Sequence, residues 1–297
     1  MRMEVFDDRV CALGEGPLYD DRTGRAYWVD VPGHRVLWRD LADGTRGEFA
    51  TSADVSAVIP RENGGFVLLL PTGPTLIDPT GAVETTIPYD GEGFGARAYR
   101  APIGSSTALR CNDARADPVG RLWFGTMAYD ERPGAGSLYR LDPGSTAPVP
   151  VCRDITVSNG LGWSADNTLM YYADTPTRRI DVFDYDLATG TASDRRSFVD
   201  VSPAHPDGLC TDAEGAVWVA FWGSGAVRRY LPDGRLDREL SVPTPYTTSC
   251  AFVGPDYDLL IITTAATRDA AGTPEAGLTY AYRPGDVVGR PVHRFAG

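Results

Sequence analysis

Six short apolar runs, each preceded at a nearly fixed distance by a polar residue, recur along this chain, and that repetition limits the fold more than any motif does. The runs are GRAYWVD from Gly24, GGFVLLL from Gly64, GRLWFGT from Gly120, NTLMYYAD from Asn167, GAVWVAF from Gly215 and YDLLIIT from Tyr257. Their starts lie 40, 56, 47, 48 and 42 residues apart. Similar units of this length form radial or solenoid arrays, not one doubly wound sheet. Eight residues before five of the starts stand Ser56, Asn112, Asn159, Asp207 and Ser249, and nine before the first stands Glu15, where the turn DDRTG is one residue longer. Units related by rotation place these six residues in a ring around one axis.

Each unit reads as an approach strand, a tight turn, a strongly apolar strand and then more polar strands, as in DGLCTD, AEG, AVWVAF, GSG and AVRRYLPDG. Antiparallel sheets arranged radially around a channel fit this alternation and protect their own edges. The expectation is an all-β chain, a six-bladed β-propeller with four-stranded antiparallel blades, in which residues 1–297 make a single domain. Closure requires the two ends of the chain to meet. The early strand from Met3 to Val10 is therefore expected to complete the sheet of the last blade. The 56-residue interval carries its excess between Ile87 and Arg110, a Gly-rich stretch read either as a lid over the ring or as a surface excursion.

Composition excludes several functions. The net charge is -12, which disfavours nucleic acid and anionic membranes as partners. All 28 basic residues are Arg, so Schiff-base, P-loop and kinase lysines are ruled out. The five cysteines are widely spaced and never form CxxC, which indicates neither a disulfide framework nor a zinc ribbon. The N-terminus MRMEVFDDRV lacks the apolar core of a secretory signal, and no run approaches the roughly 20 apolar residues that span a bilayer. The expected location is the cytoplasm.

The innermost strand of each blade lines the channel, so Glu15, Asn112, Asn159 and Asp207 are expected to converge near one mouth. Two carboxylates and two amide carbonyls offer hard oxygen ligands, suited to calcium, magnesium or manganese. Taken singly, Asn159-Gly160 and Asp207-Gly208 are ordinary turn formers; their shared phase in the repeat argues for a common purpose. Ser56 and Ser249 read as space-filling residues, since no GxSxG elbow or placed His serves them. His205, near the ring, reads as a turn residue. Asp113, Asp117, Asp166 and Asp212 read as turn residues, with Asp113 alone close enough to the ring to touch a site. Trp28, Trp123 and Trp218 hold equivalent strand positions and read as packing between blades. Arg110, two residues before Asn112, points to the same side of its strand.

The strings LGEGP around Glu15, RCNDARADPVGRLWFGTM from Arg110, SNGLGWSADNTLMYYAD from Ser158, FDYDLATG from Phe183, PDGLCTDAEGAVWVA from Pro206 and TTSCAF from Thr247 resemble the senescence marker protein 30, gluconolactonase and luciferin-regenerating enzyme family. The resemblance implies a six-bladed propeller with one divalent metal in its channel that hydrolyses sugar lactones. It implies Glu15, Asn159 and Asp207 as metal ligands and Arg110, Asn112 and Asp130 as substrate-binding residues, with Asp130 standing where some relatives carry Glu. Calcium is the first expectation for the ion, with manganese, magnesium, zinc and iron admissible. Asp207 is the expected general base. Two other uses of the same architecture stay open: a phosphotriesterase-like hydrolase on the same ion, and a propeller whose metal is structural and which binds a ligand or partner without turnover.

Overall fold

A computed structural model describes residues 3–89, 108–266, 273 and 275–297. The short β1 (Glu4–Asp7) pairs antiparallel with the last strand, β24 (Thr279–Tyr282), placing Glu4 opposite Ala281 and Val5 opposite Tyr280. The two ends of the chain thus share one sheet, β1-β24-β23-β22, where β22 is Thr247–Val253 and β23 is Leu259–Thr264. The closing strand is shorter than the stretch from Met3 to Val10 but lies where the sequence places it.

The other five sheets are four consecutive strands each, all antiparallel. They start from the inner strands β2 (Gly14–Asp20), β6 (Val58–Pro60), β10 (Leu109–Ala116), β14 (Ser158–Trp163) and β18 (His205–Thr211). Six blades therefore surround a channel, as the repeat requires. The stretch from Ile87 to Arg110, expected as a lid or an excursion, falls mostly outside the described residues.

The core is divided into six wedges, one at each junction between blades. Between the third and fourth blades, Trp123 and Leu138 pack against Leu161, Trp163 and Met170; between the sixth and first, Trp28 and Tyr19 pack against Val253 and Ile261. Trp28, Trp123 and Trp218 are fully buried in these wedges. Large aromatic side chains suit a wedge, because adjacent sheets diverge outward and leave more volume there than near the axis.

Near the axis the opposite holds, and at two positions the neighbouring inner strand leaves no room for a side chain. A methyl group at Gly208 would sit 2.1 Å from Ser249 Oγ, and one at Gly160 would sit 2.5 Å from the Leu209 backbone nitrogen. Gly160 and Gly208 are therefore set by crowding at the narrow end of the wedge. They are not turn residues: both lie inside strands. Pairing shifts register between Glu15 and Leu18, Cys111 and Ala114, Ser158 and Leu161, and Pro206 and Leu209. The four polar ring residues thus sit on or beside β-bulges, which re-aim a side chain where a regular pleat would not.

Candidate functional site

One cavity of about 340 Å³ opens at a mouth of the channel, and Glu15, Arg110, Asn112, Asn159 and Asp207 all line it. Four different inner strands deliver them. Ser56 and Ser249 are buried and do not line it; Ser249 packs against Gly208, and the Ser56 hydroxyl donates to the Leu69 carbonyl at 3.3 Å.

A chain of hydrogen bonds crosses the cavity wall. Arg110 Nη1 donates to Asn112 Oδ1 at 2.7 Å, and Asn112 Nδ2 donates to Asn159 Oδ1 at 2.9 Å. Asn159 Nδ2 donates to Thr175 Oγ1 at 2.8 Å, and that hydroxyl donates to the Pro206 carbonyl at 2.7 Å. Both amides are fixed in orientation by these partners, with the Asn159 oxygen on the side of Asn112. Arg110 is itself held over the ring of Tyr129, 5.8 Å from its centroid, and the Tyr129 hydroxyl donates to Asp54 at 2.6 Å.

The carboxylates are treated differently. Asp207 is buried, and among the described residues its Oδ1 has no hydrogen-bond partner. Among the described residues Glu15 accepts the Gly16 backbone N–H alone, at 3.2 Å. Burial, then the negative charge of Asp113, pushes the Glu15 carboxyl up to about 8 despite Gly16, Arg110 and Arg115. Burial, then Glu15 and Asp113, raises Asp207 well above the usual carboxylate range. Asp113 is raised as well, by burial, and its Oδ2 also lacks a partner. Two buried carboxyl groups with unpaired oxygens, Asp113 and Asp207, beside the half-buried Glu15 make a mutually repelling, costly arrangement that a cation would relieve.

The donor set fits a hard divalent ion. Glu15, Asp207 and the Asn159 carbonyl supply oxygen only. Among the described residues no trio of His, Cys, Asp and Glu side chains is grouped to hold a metal; Glu15 and Asp207 together with the Asn159 amide would make an all-oxygen set, ill suited to a softer ion such as copper(I).

Asp130, expected to bind substrate, does not line the cavity. It is exposed and pairs with Arg132 at 2.9 Å. The residue of this loop that does line it is Glu131, whose φ of 53° puts the backbone in the left-handed region at this turn. His205 is not in a turn either: it opens β18 and lines the cavity beside Trp222. Thr175, Trp222 and Glu131 had no place in the sequence reading. None shares the phase of the ring, and only the position of Thr175, directly after the strand ending YYAD, offered a signal.

A sequence model described as the SMP-30/Gluconolactonase/LRE-like region matches residues 13–266. Regucalcin from Gallus gallus is 34% identical over 99% of this chain and 97% of its own length. A Bacillus subtilis protein provisionally named a sugar lactone lactonase is 33% identical over 87% of this chain and 85% of its own. The crystal structure of regucalcin from Agrobacterium tumefaciens, described as a calcium-binding protein, superposes with a TM-score of 0.88 at 30% identity, covering 100% of this chain and 98% of that one.

Proposed function

The chain belongs to the SMP-30/gluconolactonase/LRE-like family, and from that premise we propose that it is a divalent-metal-dependent hydrolase that opens a sugar lactone to its aldonic acid. The observation that carries the reading is the unpartnered Asp207 Oδ1, buried beside the repelling charge of Glu15 in a cavity lined by fixed polar groups. A purely structural carboxylate at that depth would have acquired hydrogen-bond donors.

In this reading Glu15, Asn159 and Asp207 hold the ion, and calcium is the first choice. When bound, it supplies a Lewis acid that polarises the lactone carbonyl. Asp207, besides helping to hold the ion, would take the proton of the attacking water on its carboxylate. Arg110 and Asn112, already locked to each other, present donors to the ring hydroxyls and so hold the substrate in one orientation. Trp222 gives the cavity an apolar wall, and Glu131 stands at its rim as an acceptor for a hydroxyl. A lactone is an activated ester, so one Lewis acid and one base suffice where an amide would require more.

The test is a pH-indicator screen of five- and six-membered aldonolactones, with an organophosphate ester in parallel, on protein stripped of metal and then reloaded with each ion. Acid release from a lactone that stops on chelation and returns on reloading is the expected result. Turnover that persists after verified metal removal would defeat the reading. Hydrolysis of the organophosphate alone would move the protein to phosphoryl chemistry.

A further inference from the structure

At the other mouth of the channel the chemistry is reversed. The far ends of five inner strands and the C-terminal residues 290–293 enclose a second cavity of about 80 Å³. Arg115, Thr211, Arg290 and His293 line it, and among the described residues no carboxylate does. In a chain with 40 acidic and 28 basic residues, a half-buried cluster of Arg115, Arg290 and His293 with cationic and neutral walls is unexpected.

Neither arginine is paired at contact distance. Among the described residues, neither Arg115 nor Arg290 forms an ion pair with a carboxylate, whereas most other arginines do. Arg290 donates through Nη1 to the carbonyls of Ser164 at 2.9 Å and Trp163 at 3.4 Å, and through Nη2 to Asn167 Oδ1 at 3.4 Å, all neutral acceptors. Among the described residues Arg115 donates to the Pro17 carbonyl alone, at 3.4 Å, and its buried Nη2 has no partner. Burial, then the charge of Arg290, holds the His293 imidazole below its ordinary proton affinity. The one carboxylate acting on it in the other direction, Asp117, is engaged by Arg121 and the Trp123 indole. Arg115 also faces Glu15 and Asp113 electrostatically, so part of its charge answers the acidic ring. That account does not extend to Arg290 or His293.

We propose that this far mouth binds a small oxyanion, of the phosphate or carboxylate type, on Arg115, Arg290 and Thr211. A guanidinium presents a planar fork of donors that matches two oxygens of such an anion. An unpaired, buried Nη2 is the group such a ligand satisfies. Occupation also ties the C-terminal segment to the inner strands, because Arg290 belongs to the first and Arg115 to the second.

Calorimetric titration of the metal-loaded protein with inorganic phosphate, and separately with acetate, against chloride at equal ionic strength, tests the site. One phosphate or acetate is expected to bind per chain, at least tenfold tighter than chloride. Arg290→Gln should weaken binding at least tenfold. Because Arg290 also caps two carbonyls, Thr211→Glu serves as a second variant, filling the cavity with a tethered carboxylate; it too should weaken binding at least tenfold. Asp207→Asn should leave the anion affinity within twofold. Phosphate tighter than acetate assigns the tetrahedral class, and the reverse order assigns the carboxylate class. Anion binding no tighter than chloride, retention of full affinity in both far-mouth variants, or its loss in Asp207→Asn would overturn the proposal.

Discussion

Asp207 lies near the start of the inner strand β18 and Asp212 just past its end, five residues on, and they have opposite fates. Asp212 Oδ1 accepts the backbone N–H groups of Glu214 at 3.0 Å and Ala216 at 2.9 Å; its Oδ2 accepts the Trp218 indole and Arg229 Nε, both at 2.8 Å. Asp207 is equally buried and leaves Oδ1 unpaired against two like charges. A saturated carboxylate ties its turn and its blade together. An unsaturated one at the same depth costs stability and marks the place where something is meant to bind. The two mouths of the channel differ in the same sense: one has excess negative charge, the other unpaired positive charge.

The largest expected effect breaks the unsaturated end. Asp207→Asn keeps the shape of the side chain but removes the charge and the proton acceptor. It should lower kcat/KM for the active lactone by about a thousandfold or more, the scale on which a group acting on the reacting atoms contributes. In metal-free protein the same change removes a repelling charge, so its melting temperature should not fall below that of the metal-free parent. A variant that retains activity would show that Asp207 is not the base.

Asp212→Ala is the counterpart at the saturated end. Removing it strands the Trp218 indole and two backbone donors and leaves Arg229 with Asp237 and Glu214. The expected loss is about 3 kcal/mol of unfolding free energy, typical of breaking a buried, hydrogen-bonded charge network. Denaturant unfolding reads it. The kcat/KM per folded molecule should change less than twofold, and a large kinetic effect with unchanged stability would erase the distinction between the two ends.

The blade count, the closure of the ring and the convergence of Glu15, Asn112, Asn159 and Asp207 were all legible in the sequence, because rotational symmetry converts equal phase in a repeat into a shared axial level. What lay beyond it was set by departures from that regularity. Strand alternation turns Asp113 away from the side that Asn112 faces, yet the bulge between Cys111 and Ala114 leaves both neighbours acting on the same buried site. The glycines after Asn159 and Asp207 have the composition of turns but answer crowding between adjacent inner strands, a tertiary cause that no local pattern contains. The far cavity depends on residues 290–293 crossing the channel end, and that stretch carries no repeat.

A pH titration sharpens the comparison further. In the metal-free protein the Glu15 carboxyl is held at about 8, against 4.5 in an unfolded chain. Between those values the folded state keeps a proton that the unfolded state has released. Folding therefore takes up protons, and stability falls as pH rises from about 5 to about 8. Asp207 and Asp113 act in the same direction. Saturating divalent ion should flatten the slope, because it replaces the protons and binds more tightly as pH rises. Glu15→Gln should reduce the slope without metal. Melting curves with chelator that are flat or rise over this range would mean that the charge at the ring is already balanced within the protein.

The smallest expected effect concerns the loop after Ala128, where neighbouring carboxylates face different surroundings. Asp130 is paired with Arg132 on the outside, and Glu131 lines the cavity. If the rim recognises a substrate hydroxyl through Glu131, then Glu131→Gln weakens one charge-assisted hydrogen bond and should raise KM by about three- to tenfold, with kcat nearly unchanged. Asp130→Asn should alter neither by more than twofold. The reversed result would mean that the loop turns over when substrate binds and brings Asp130 inward, at the expense of its contact with Arg132. Arg132→Gln then separates the cases: freeing Asp130 should lower KM if the loop reorganises and leave it unchanged if Glu131 is the acceptor.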